Sequence, residues 1–273
     1  MKRRKVIETQ TKTDKKMRPF YTIYFNARMC NMRISVNDIP VLSMAVDGQC
    51  SSRYPFNNLL LESGLANIKY EALPLKREMH LREGAYLKCK VELYDMDSTH
   101  YQPISIMAHY ETPSQEESKM PYIVHEDSFQ VDVPYELTGW KQSIRLYRFK
   151  EQLRPMVIRK YHSIIAMMRN FSFSQYEDAF REREDIISEC FFLSEEEKRN
   201  RMKEVEDAIM NCSEIAPLLS TDKLEFAVDG RLVRLIKGDG ESALRIRNAE
   251  TGEETMIELW LHMKQGSTTL TII

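Results

Sequence analysis

Alternation of apolar and polar positions dominates the first half of the chain. Residues 86–94 place Leu87, Cys89, Val91 and Leu93 on one side of a strand, with Lys88, Lys90 and Glu92 on the other. Ile68, Tyr70 and Ala72 alternate with Lys69 and Glu71. Ile34 and Val36 alternate with Arg33 and Ser35 before a turn at Asn37-Asp38. Runs of period two predict strands with one buried face. Further candidates lie at 102–110, 128–133 and 140–149, and no helical period appears before Phe149. The expectation for residues 20–150 is an antiparallel β-sandwich.

The period changes after Phe149. Val157, Tyr161, Ile164, Ile165 and Met168 recur at helical spacing over about 153–169. Ser174-x-x-Glu177 and Ser194-x-x-Glu197 read as capping boxes, in which each side chain satisfies the other residue's free backbone donor. Tyr176, Ala179, Phe180, Ile187 and Cys190 follow the first box, and Met202, Val205, Ile209 and Cys212 the second. Strands are then expected near 223–228, 231–237, 243–248, 255–263 and 268–272. Turns at Asp229-Gly230, Gly238-Asp239-Gly240, Thr251-Gly252 and Gln265-Gly266 separate them, glycine supplying positive φ. Three helices followed by a five-stranded antiparallel meander make an α+β unit over 151–273.

Three family resemblances attach to these patterns. Ile34-Ser-Val-Asn-Asp-Ile-Pro-Val41, Phe56-Asn-Asn-Leu-Leu-Leu-Glu-Ser-Gly64 and Asn67-Ile-Lys-Tyr-Glu71 together resemble a segment of jelly-roll accessory domains. There, a strand ending in an Asn turn precedes a Gly-x-x-Asn segment. The element order of the second half resembles the cystatin-like cone of SnoaL-type and nuclear-transport-factor-type proteins. That fold implies a pocket between helix and sheet, where His162 and His262 could transfer protons. The overall two-domain layout is similar to bacterial immunity-type proteins, which bind and block a toxin.

Charge refines this picture. The chain carries a net charge of −2, which gives no general attraction to nucleic acid or to anionic membranes. Residues 1–18 hold eight basic side chains against Glu8 and Asp14, which reads as a flexible basic tail over 1–19. Residues 171–212 hold twelve acids against six bases, suited to a basic partner. No run of about eighteen apolar residues predicts a spanning helix. Cys30, Cys50, Cys89, Cys190 and Cys212 show no CxxC spacing, so reduced thiols in a cytosolic protein are expected.

The search for chemistry is brief. No HExxH, HxH, Cys/His cluster, phosphate loop or GxSxG elbow occurs. Asp95-Met-Asp97-Ser-Thr-His100 lacks the glycine and the closing glutamate of a calcium loop. No metal and no cofactor are expected.

One face on the expected 255–263 strand stands out. Ile257, Leu259, Leu261 and Met263 point one way, toward the helices, and Met256, Glu258, Trp260 and His262 the other. Arg245 and Arg247 on the preceding strand are placed to pair with Glu258. That second face either packs on the N-terminal half or presents Trp260, His262, Met256, Arg245 and Arg247 to a partner, a composition rich in hot-spot residues. Glu182, Glu189, Glu196 and Glu204 on the acidic helices are candidates for steering it. Two function classes follow. One is a non-enzymatic protein-binding module of the immunity type. The other is a small-ligand or enzymatic cone with a sugar-binding accessory sandwich. A deep, closed pocket bearing histidine or carboxylate groups would favour the second, and a filled core with a flat or convex charged surface the first.

Overall fold

A computed structural model describes residues 17–98, 102–113 and 120–273. The mixed α+β expectation holds, with antiparallel sheets and three helices. Residues 1–16, which carry most of the basic tail, and His100 lie outside the described residues.

The N-terminal half is organised by one long strand, β1 (Pro19–Val36). It turns through Asn37-Asp38 into β2 (Ile39–Pro55). Both turn residues have positive φ, 49° and 67°, the conformation a two-residue hairpin needs and that Asn and Asp tolerate. The other edge of β1 serves two partners in turn. Its first part, to Arg28, pairs with β4 (Tyr86–Asp95), and its last part, from Asn31, pairs with β3 (Gly64–Leu73). The switch falls at Met29, with φ 48°, where the register against β2 also shifts.

The buried residues of β1 record that switch. Its core apolar side chains are Tyr21, Ile23, Phe25 and Ala27 before Met29, and Cys30, Met32, Ile34 and Val36 after it. One residue out of the alternation bends the strand and returns the apolar side chains to the same interior. β5 (Ser105–Glu111) adds to β4, and β6 (Ile123–Val131) to β3. The outer strands β5 and β6 approach each other without pairing, so the sheet is nearly closed. Tyr110 of β5 stacks on His125 of β6 across this seam, ring centroids 4.3 Å apart. Residues 140–149, expected as a strand, instead form two 3-10 turns, Gly139–Gln142 and Leu146–Gln152. Positive φ at Gly139 and Lys150 reverses the chain at both ends, and Trp140 and Leu146 anchor it.

Helices α1 (Leu153–Arg169), α2 (Phe173–Cys190) and α3 (Glu195–Met210) follow. The Ser194–Glu197 capping box forms in both directions. The Ser174 box does not, because α2 starts one residue before Ser174 with Ser172 as its N-cap. The end of α1 dictates that start. Phe171 is left-handed, its N–H bonds to Met168 O, and Ser172 N–H bonds to Met167 O. This is the Schellman arrangement, with phenylalanine where glycine is usual. Phe192 ends α2 in the same way, with bonds from Phe192 to Glu189 and from Leu193 to Ser188.

The last strands are β7 (Cys212–Ile215), β8 (Lys223–Ala227), β9 (Leu232–Ile236), β10 (Arg245–Asn248), β11 (Glu254–Met256), β12 (Leu261–His262) and β13 (Thr271–Ile272). They form two sheets, β13-β12-β9-β8 and β11-β10-β7, rather than the five-stranded meander expected. A side chain from α1 divides them. Val233 of β9 pairs with Leu261 of β12, so Leu235 and Leu259 would be the next residues opposed. Instead the Tyr161 hydroxyl stands between them. It accepts the N–H of Leu235 at 2.8 Å and donates to the carbonyl of Leu259 at 3.1 Å. Both backbone groups are satisfied, and the ladder stops. The 255–263 strand is thereby split into β11 and β12. Its alternation survives, since Leu259, Leu261 and Met263 are all buried in the core they share with α1 and α2.

Each half keeps its own sheets, but one core crosses the junction. Ile186, Cys190, Ala227, Leu232, Trp260 and Ile273 join the buried cluster of the N-terminal sheet. Asn57, fully buried, adds polar stitching. Its side chain accepts the N–H of Tyr21 at 2.7 Å and donates to the carbonyls of Pro19 and Cys190 at 2.8 and 3.1 Å. Among the described residues no helix is long and apolar enough to cross a membrane.

Candidate functional site

A cleft of about 680 Å³ opens along the junction. The start of β2 forms one wall, α2 and α3 another, and residues 255–258 a third. Val41, Leu42, Ile187, Val205 and Ala208 give it an apolar lining, partly open to solvent.

Its floor is ionic. Arg234 of β9 has a side chain only 5% exposed and lies over the Trp260 ring at 4.8 Å. Its Nε bonds Glu225 at 2.6 Å, and its other end bonds Glu258. Arg33 of β1 bonds the second oxygen of Glu225 at 2.6 Å, so the chain Arg33–Glu225–Arg234–Glu258 ties the two halves together. On the helix side, Glu184 receives Arg183 at 2.7 Å and Arg201 at 2.5 Å. Burial would raise the carboxyl of Glu184, but the two guanidinium groups outweigh it and hold the group below the usual carboxylate range. Every arginine lining the cleft is thus already held by an acid of the chain.

Two acids there are not so held. Neither Glu204 of α3 nor Glu241 has a side-chain hydrogen bond or ion pair among the described residues. Burial, followed by the neighbouring Glu258 charge, raises the carboxyl of Glu241 above its ordinary range. A carboxyl with a raised folded-state pKa favours the protonated form. Its contribution to stability is therefore full below the unfolded value of about 4.3 and is lost as pH rises through the folded value. Glu241→Gln is accordingly expected to melt above the parent protein at neutral pH. The difference should close as pH falls to about 4, in melting curves recorded across that range. A variant that melts below the parent at pH 7 would show that the charges of Arg234 and Arg245 outweigh the burial of the carboxylate.

The residues expected at the site fall in different places. Trp260 is buried, and its burial corresponds to packing on the N-terminal half rather than to an open patch. His262 is also fully buried, its Nδ1 2.7 Å from Ser143 Oγ. Its Nε2 lies 3.4 Å from Glu182, too poorly placed to count as a hydrogen bond. Lys264 also reaches Glu182, at 2.8 Å. Burial acts to raise Glu182, and His262 and Lys264 together bring it below its usual range, so Glu182 braces α2 against β12. Although serine, histidine and glutamate meet here, Ser143 and His262 are both closed off from solvent.

Arg245 does not pair with Glu258. It stands opposite Met256 and bonds Asp239 and Glu254. Arg247 is exposed and 4.0 Å from Glu214. Met256 is 44% exposed and lines the cleft. Glu189, Glu196 and Glu204 are exposed on α2 and α3. His162 lies exposed on α1, and neither His162 nor His262 lines the cleft.

Arg33, Glu225, Arg234 and Glu241 were not legible as site residues. Arg33 and Glu225 are 192 positions apart, and Glu241 sits just after a turn read only as a turn. No group of three or more His, Cys, Asp or Glu residues able to hold a metal occurs among the described residues. Comparison with known proteins adds no relative: no family model, curated protein or solved structure matches the chain.

Proposed function

We propose that the protein is a non-enzymatic binding module that receives a basic protein partner at the cleft between its halves. The observation that carries this is the charge arrangement of the cleft. Its arginines are all neutralised internally, while Glu204 and Glu241 stand unpaired beside an apolar wall. Such a surface attracts a cation and buries the apolar residues next to it. Glu189 and Glu196 extend the acidic field along the helices and would hasten encounter with a basic partner. Blocking a toxin, the role implied by the immunity-type layout, is the use proposed for this surface.

The test is comparative capture from cells of the source organism. Ala208→Arg places a large cation against the cleft wall, while reversing Glu189, Glu196 and Glu204 to lysine removes the steering field. A partner captured by the parent protein should be lost with Ala208→Arg at unchanged melting temperature. With the triple variant it should associate more slowly and with a weaker salt dependence. A partner held equally well by Ala208→Arg would place the contact elsewhere.

A further inference from the structure

The cleft meets two strands along their edges. Side chains of a strand alternate between its faces, so a cleft lying over one face is lined by every second residue. Here residues 39–43 of β2 line the cleft without a gap, and so do residues 255–258, which include the end of β11. Within the sheets β2 pairs only with β1, and β11 only with β10. No backbone hydrogen bond joins the opposite edge of either strand to another described residue. On the 255–258 side the N–H of Ile257 is taken by Leu244, its carbonyl by Ser242 and the carbonyl of Glu258 by Arg183, so it is the outer edge of β2 that offers unpaired backbone groups to the cleft beside the unpaired carboxylates of Glu204 and Glu241. A free edge of this kind is a template for another strand.

Building on the reading of the cleft as a protein-binding site, we propose that the occupant is an extended polypeptide segment added as a strand to the free edge of β2. Backbone pairing supplies affinity and side-chain pockets supply selectivity. A lysine or arginine of the segment meets Glu241, and alternate apolar residues meet Val41, Leu42 and Ile187. Pro40 has no N–H to offer, so pairing starts beyond it. The charge choice follows from the cleft itself, since an incoming acid would find every arginine occupied.

The probe is a labelled ten-residue peptide of alternating valine and lysine, titrated into the full chain by fluorescence anisotropy. Five companions share the assay: a valine–glutamate peptide, two valine–lysine peptides N-methylated on alternate residues in either register, and the protein variants Glu241→Gln and Ala208→Arg. The lysine peptide should bind and the glutamate peptide should not. Glu241→Gln should weaken binding roughly fivefold. N-methylation in at least one register should weaken it about tenfold or more, because several backbone bonds are lost together. Failure of the lysine peptide to bind, or binding of both N-methylated peptides as tight as that of the unmethylated one, overturns strand addition. Equal binding of lysine and glutamate peptides overturns the charge assignment. Binding that survives Ala208→Arg places the peptide outside the cleft, and so separates failure of the site from failure of the binding mode.

Discussion

Asn57→Leu is expected to lower the unfolding free energy by about 3–5 kcal/mol. Leucine has as many side-chain heavy atoms as asparagine and is somewhat larger, so no cavity opens and lost hydrogen bonding dominates the effect. Three buried backbone groups lose their partner at once: the N–H of Tyr21 and the carbonyls of Pro19 and Cys190. An unsatisfied buried group costs about 1–3 kcal/mol, and three in one place have little water to turn to. Asn57→Asp refines the test, because aspartate can still accept from Tyr21 but offers no donor to either carbonyl. It should be no more stable than the leucine variant. Urea unfolding measures both, and a loss below about 1 kcal/mol for Asn57→Leu would show that these backbone groups find other partners.

Arg234→Met should cost about 3 kcal/mol, because it leaves Glu225 buried with one cation fewer. Glu225 has a side chain only 10% exposed. Arg33 still reaches it, which keeps the loss at the lower end of the usual range for a broken buried pair. Methionine preserves much of the contact with Trp260, so the charge dominates the effect. Adding Glu225→Gln to Arg234→Met removes the stranded charge and should recover part of the loss. If the double variant is no better than the single one, the role of Arg234 is its packing on Trp260 and not its charge.

These two positions mark how far the sequence could be read. Strands β3 and β4 were legible because each buries one face, and period two follows directly from that burial. The first part of β1 was not, because Met29 throws Tyr21–Ala27 and Cys30–Val36 out of phase. An alternation averaged over the whole run cancels. In the C-terminal half the faces of 255–263 were legible, whereas their pairing was not. The Tyr161 hydroxyl that stops the pairing of β9 with β12 comes from a helix far away in sequence, and local patterning carries no trace of it. Ser194 announced its helix correctly, while the Ser174 box lost to the Schellman end of α1.

The candidate site was less legible than the fold. Trp260 drew attention because its strand face had two readings, and burial beneath Arg234 distinguishes them. Glu189, Glu196 and Glu204 are exposed as expected, since charged residues at those helical spacings have no core to enter. The significance of Glu241 depends on what surrounds it. Its identity as an unpaired acid exists only once Arg183, Arg201 and Arg234 have been assigned to other carboxylates.

The double pairing of β1 also constrains the order in which the chain can fold. β1 emerges from the ribosome before every partner it will have. The hairpin with β2 can close early, since its pairs radiate from Asn37-Asp38. The opposite edge must wait for Leu73 to arrive for its far portion and for Asp95 to reach Pro19. β1 is thus made well before its second edge can be completed, and contacts of that sequence separation belong to folding on roughly the millisecond-to-second scale. The Asn57 bond to Cys190 comes later still, when α2 docks. Until β3 and β4 pair with it the second edge of β1 stays open, which makes nascent chains ending between about Pro55 and Asp95 the ones most in need of shielding from each other.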